Sequence, residues 1–131
     1  MTVKNAARLI TLASVIQILG YLYALPGHLD EPTWSAHAQF HHVLSWIWIA
    51  GLNVAMISLA WGPLQKRKKW AFWALLALFL FAHGGHFLSS FVVPAGRPSE
   101  PWYDFAIGAM SSIFAIGLGI GWRALSRQAS A

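Results

Sequence analysis

The stretch HHVLSWIWIAGLNVAMISLAW, residues 41–61, decides the fold. No Asp, Glu, Lys or Arg interrupts it, and it matches the roughly 20 apolar residues that a helix needs to cross a bilayer. Upstream, Pro32 suits the first turn of this helix, with Asp30 or Glu31 placed to cap it. Downstream, Gly62-Pro63 is a breaker pair that ends it near Trp61. Three more stretches read the same way, giving spans at 6–24, 32–61, 70–92 and 102–123. Pro26-Gly27 stops the first, and Pro94, Gly96 and Pro98 close the third. The expectation is an all-α, four-transmembrane-helix bundle forming a single integral membrane domain over 1–131.

Composition agrees. Of 131 residues, 57% are hydrophobic and 10% charged, and the mean hydropathy is +0.54. A soluble domain carries roughly 25% charged residues, so this chain could not cover its apolar surface in water. Soluble-domain functions are thereby excluded. With no cysteine, disulfides, Fe–S clusters and thiol catalysis are excluded too. The pI near 10.1 does not point to nucleic acid, because the basic residues sit in short groups beside apolar runs.

Those groups set an orientation. Eight of the nine Lys and Arg residues (Lys4, Arg8, Lys66 to Lys69, Arg123 and Arg127) fall on one side of a four-span topology, and only Arg97 is opposite. The positive-inside rule makes the crowded side, with both termini, cytoplasmic. The N-terminal segment, lacking a small-x-small cleavage site, reads as an uncleaved first helix. Tryptophans and tyrosines cluster near both ends of the spans as interfacial belts. Gly108, Ser111, Ser112, Gly117 and Gly121 give the fourth span small residues for close packing, within the bundle or across a homo- or hetero-oligomer interface.

All six histidines, His28, His37, His41, His42, His83 and His86, fall at the other side, with all four acids, Asp30, Glu31, Glu100 and Asp104. Ionisable groups at membrane depth are costly and mark working sites. His37 and His41, four apart, project from one face of the second span, and His83 and His86, three apart, from one face of the third, joined by Ser90. His42 is turned about 100° away from the first pair. At ~1.5 Å per residue, His37 and His41 lie roughly 8 and 14 Å below the start of their span, and His86 and His83 about 10 and 15 Å below the end of theirs. The two pairs are expected to be level. Neutral imidazoles are the commonest nitrogen ligands of Zn, Cu and Fe. The expected metal ligands are therefore His28, His37, His41, His83 and His86. Trp34 and Ser90 flank the site on the cofactor side, and Glu31 and Asp104 are the acid/base candidates. Haem or quinone is a lesser alternative, since haem needs only one histidine from each of two helices. Gly84 and Gly85 leave room for a flat ligand or another helix.

The segment His28-Leu29-Asp30-Glu31-Pro32-Thr33-Trp34-Ser35-Ala36-His37-Ala38-Gln39-Phe40-His41 resembles a signature of small four-span bacterial membrane proteins, approximately H, a short gap, then P-x-W-x-x-H-A-x-F-H. The resemblance implies the four-span topology and a bacterial inner membrane, singles out His28, Trp34, His37 and His41, and brings no activity with it. The histidine spacings are also similar to the boxes of membrane di-iron desaturases and hydroxylases. A fainter similarity is to the four-span sterol-isomerase and sigma-2 fold.

The leading functional expectation is a histidine-rich, metal-binding site near the extracytoplasmic face, acting on a lipophilic substrate from the bilayer. A metal-free acid/base isomerase of a lipid or polyene is the second, and a non-enzymatic helper subunit or carrier the third. Hydrolase, kinase and dehydrogenase readings lack their motifs.

Overall fold

A computed structural model describes residues 2–93 and 101–127. The chain is all-α: α1 spans Val3–Leu29, α2 Ala36–Trp61, α3 Lys69–Phe79 and α5 Pro101–Ser126, and a π turn at Leu80–Gly84 joins α3 to α4, Gly85–Val92. Four helical stretches are long and apolar enough to cross a membrane: Val3–Leu29, Ala36–Trp61, Lys69–Ser89 and Trp102–Ser126. The loop with Pro94, Gly96, Arg97, Pro98 and Glu100 lies outside the described residues.

Two boundaries differ from the sequence reading by about a turn or more, each for a local reason. Pro26 does not stop α1, which runs through it to Leu29, and the Asp30 amide donates to the Pro26 carbonyl at 2.9 Å. A proline near a helix end removes a bond but leaves the few residues after it free to finish the turn. The second helix starts at Ala36, not Pro32, because Ser35 is the cap: its Oγ accepts from the Ala38 amide at 3.2 Å. The far end of α2 falls at Trp61 as expected. There a Cβ on Gly62 would come within 2.9 Å of the Ser58 carbonyl oxygen, so only glycine fits.

Helix α1 is the hub, packed along α2 on one side and α5 on the other, while α3 meets α2 and α5 more lightly. The α1–α5 seam is close because α5 offers no side chain at Gly117, where a Cβ would lie 3.1 Å from Ile10, 3.2 Å from Leu9 and 3.3 Å from the Ala6 carbonyl. In a bilayer, van der Waals packing and not exclusion from water holds helices together, so this fit carries the seam. Gly117 and Gly121 of the small-residue series are thus spent inside the bundle. The connection 62–68 is tied down at the same end. Arg67 donates to the Ala124 carbonyl in the last turn of α5 at 3.1 Å, a cation where a helix end is negative. Gln65 reaches the Val3 carbonyl at 3.3 Å.

The core is not spread evenly along the bundle. Buried residues of α1 stop at Gln17, and those of α2 begin at Asn53. Both sets lie toward the end that carries the 62–68 connection. The opposite end, with the histidines, is looser.

Candidate functional site

At the histidine end the six imidazoles sort into separate neighbourhoods. His42 belongs to the stripe His42, Trp46, Ile49, Asn53, Met56 and Ala60, spaced four and three apart, which is the face α2 turns to α1. It therefore meets His28, in the last turn of α1, with ring centroids 4.4 Å apart. Trp34 closes this group, stacked on His28 at 5.2 Å and edge-on to His42 at 5.4 Å. Gln39 donates to the Leu29 carbonyl at 2.8 Å and holds the start of α2 against the end of α1. The His42 Nε2 is buried with no hydrogen-bond partner.

His37 and His41 form a second group. Their Nε2 atoms are 3.1 Å apart, with ring planes at 82°, and both residues are exposed. Phe40 stands edge-on to His41 at 5.6 Å.

The third span behaves differently from a regular helix. The π turn at 80–84 holds more residues per turn than the 3.6 of an α-helix, so the phase carried from α3 to α4 shifts. His83 and His86 accordingly meet different partners. His83 is 2% exposed, its Nδ1 is 2.9 Å from the Ser111 hydroxyl of α5, and Phe79 and Phe114 flank its ring. The Nε2 of this ring is buried and has no hydrogen-bond partner. His86 instead lies against Tyr103 of α5, centroids 5.4 Å apart, and Asp104 follows Tyr103 in the first turn of α5.

The expectation that the two pairs are level changes with the helix boundaries. With α2 starting at Ala36, His37 and His41 lie only about 2 and 8 Å along it, while His86 and His83 stay about 9 and 14 Å from Val92. Among the described residues no three His, Asp or Glu side chains are placed to hold one metal ion together. His28, His37, His41, His83 and His86 thus do not converge on a single centre. Glu31 lies in the connection 30–35, its carboxylate accepting from the Thr33 hydroxyl at 2.7 Å and the Thr33 amide at 3.2 Å. These bonds hold it below the usual carboxylate range. The side chain of Ser90 lies outside the described residues.

What the histidine end does contain is a cleft. Its volume is about 370 Å³, and its walls are Tyr21 of α1, Ile49 and Leu52 of α2, and Phe81, Ala82, Gly85, His86 and Ser89 of the π turn and α4. Most of the lining is apolar, with Tyr21, His86 and Ser89 as its polar groups. A Cβ built on Gly84 or Gly85 would touch nothing within 4 Å, so the two glycines leave space. No protein-family model matches the chain, and neither curated proteins nor solved structures give a match.

Sequence reasoning left His42 and Tyr21 out of the site. The spacing 42-46-49-53-56-60 was a readable signal for His42. Tyr21 carried none beyond its place near the end of an apolar helix.

Proposed function

We propose that this chain is an integral protein of a bacterial cytoplasmic membrane that takes a lipophilic small molecule from the bilayer into the cleft and exchanges a proton with its polar group at His86. The observation that carries this reading is the cleft itself, which combines apolar walls with His86, Tyr21 and Ser89 at one end of the bundle. Ligand sites have this composition and occupy about 300–1,000 Å³. An imidazole is the side chain whose ordinary pKa, near 6.5, suits both giving and taking a proton at neutral pH. Tyr103 of α5 packs against the His86 ring, and Asp104 is the next residue along α5. Glu31, engaged with Thr33 in an exposed connection, has no part in this step. The crowding of Lys and Arg at the other end supports a cleft that faces away from the cytoplasm.

The test is binding of a fluorescent polyene fatty acid to protein in nanodiscs. Saturable binding is expected. Gly85→Leu, which fills open space in the cleft, lowers affinity at least tenfold, and His86→Ala keeps binding but removes its pH dependence. Absence of saturable binding, or equal binding by Gly85→Leu, overturns the reading.

A further inference from the structure

We propose that His37 and His41 form a two-nitrogen clamp for one divalent transition-metal ion, open to a further ligand, at the end of α2 next to the 30–35 connection. The geometry is specific. Two nitrogens bound to one ion at about 2.0–2.1 Å stand about 2.9 Å apart at a right angle and about 3.4 Å apart at the tetrahedral angle. The Nε2 atoms of His37 and His41 are 3.1 Å apart, between those limits. The same distance suits a hydrogen bond from one Nε2–H to the other ring's Nε2, which a bound ion would replace. Both rings are exposed, so an ion can reach them. Histidines at i and i+4 on a helix are a proven spacing for holding zinc from one face.

His37 and His41 lie in the first turns of α2, where the positive end of the helix opposes a bound cation. Asp30 and Glu31, in the connection leading into α2, supply compensating negative charge. No third protein ligand joins the pair among the described residues, so water or a ligand group completes the coordination. Zinc and copper fit two imidazoles best, with copper the tighter by the general order of divalent affinities. By helical phase this pair shares the side of α2 that carries Leu52 of the cleft wall. The clamp itself stands without any ligand in the cleft, and a metal titration tests it separately from polyene binding.

Untagged, chelator-treated protein in detergent is titrated with Zn²⁺ by calorimetry, and with Cu²⁺ followed by electron paramagnetic resonance. One ion per chain is expected, with nitrogen superhyperfine structure in the copper spectrum. His37→Ala and His41→Ala each weaken binding at least tenfold, and His37→Gln does the same with the helix content unchanged. His42→Ala, one residue away on the α1-facing stripe, leaves affinity within about twofold. Failure of the unaltered protein to bind one ion, retention of binding in the His37→Ala/His41→Ala protein, or an equal loss on His42→Ala would falsify the clamp.

Discussion

The two ends of this bundle are built from the same four helices and differ in what sits between them. At the basic end α1 and α5 are drawn together over a glycine, the connecting turn is tied to both, and small side chains fill the seam. At the histidine end α2 and the π turn leave a cleft of about 370 Å³ between them, and polar side chains line part of it. The contrast teaches that a small membrane protein can concentrate its packing in one half and so keep the other half open. The basic end is the scaffold, and the histidine end has room for a ligand.

The largest break in that contrast comes from Gly117. Its missing side chain lets α5 approach Ile10, Leu9 and the Ala6 backbone within 3.3 Å of where a Cβ would stand. Gly117→Leu forces several atoms into filled space, and overpacking of this kind costs about 1–3 kcal/mol or more. Gly108→Leu on the same helix meets nothing within 4 Å and should cost little. Unfolding in mixed micelles compares the two. Equal losses would mean that the seam is not the scaffold.

The four spans were legible because bilayer thickness demands a fixed length of apolar chain, and nothing in the fold contests that demand. Gly62 was legible as a stop for the steric reason the structure shows. Pro26 misled because a proline's penalty depends on how much helix follows it, and here only one turn does. The start of α2 misled because Asp30 and Glu31 were read as its caps, whereas Ser35 caps it and Glu31 bonds to Thr33. At the site, the face shared by His37 and His41 was readable from 3.6-residue periodicity. Convergence of that pair with His83 and His86 was not, since it needs the crossing of two helices and the depth of a start that had slipped by a turn. The π turn breaks the periodicity on which the second pairing rested, and no residue in LFAHG announces it.

A smaller effect should mark the depth where the scaffold ends. Asn53 donates to the Gln17 side-chain carbonyl at 2.9 Å and to the Ile49 backbone carbonyl at 2.9 Å, and both polar side chains are buried. Asn53→Leu strips Gln17 of that donor. Hydrogen bonds between membrane helices are worth about 0.6 kcal/mol on average and up to about 1.7. A loss in that range is expected, and adding Gln17→Leu should recover part of it, because removing both partners leaves no orphaned amide. If the double variant is less stable than the sum of the two single changes, the pair is not acting through this bond.

The smallest effect lies in the connection above the cleft, where Thr33 sets the acidity of Glu31. The hydroxyl and amide of Thr33 both donate to the ionised carboxylate, so its pKa falls below the ordinary value of 4.5. A group depressed in the folded state contributes stability above its unfolded pKa, and that contribution disappears as pH falls through the folded value. The carboxylate is fully solvated, so the change in stability should be hard to see while the titration itself is not. Carbon-detected NMR of Glu31 in detergent should give a midpoint below 4.5. Thr33→Val, which removes the shorter of the two bonds, should move it upward. Thr33→Ser keeps the hydroxyl and should leave it low. A midpoint unchanged by Thr33→Val would mean that the connection does not hold the carboxylate, and the histidine end would then be looser than its hydrogen bonds describe.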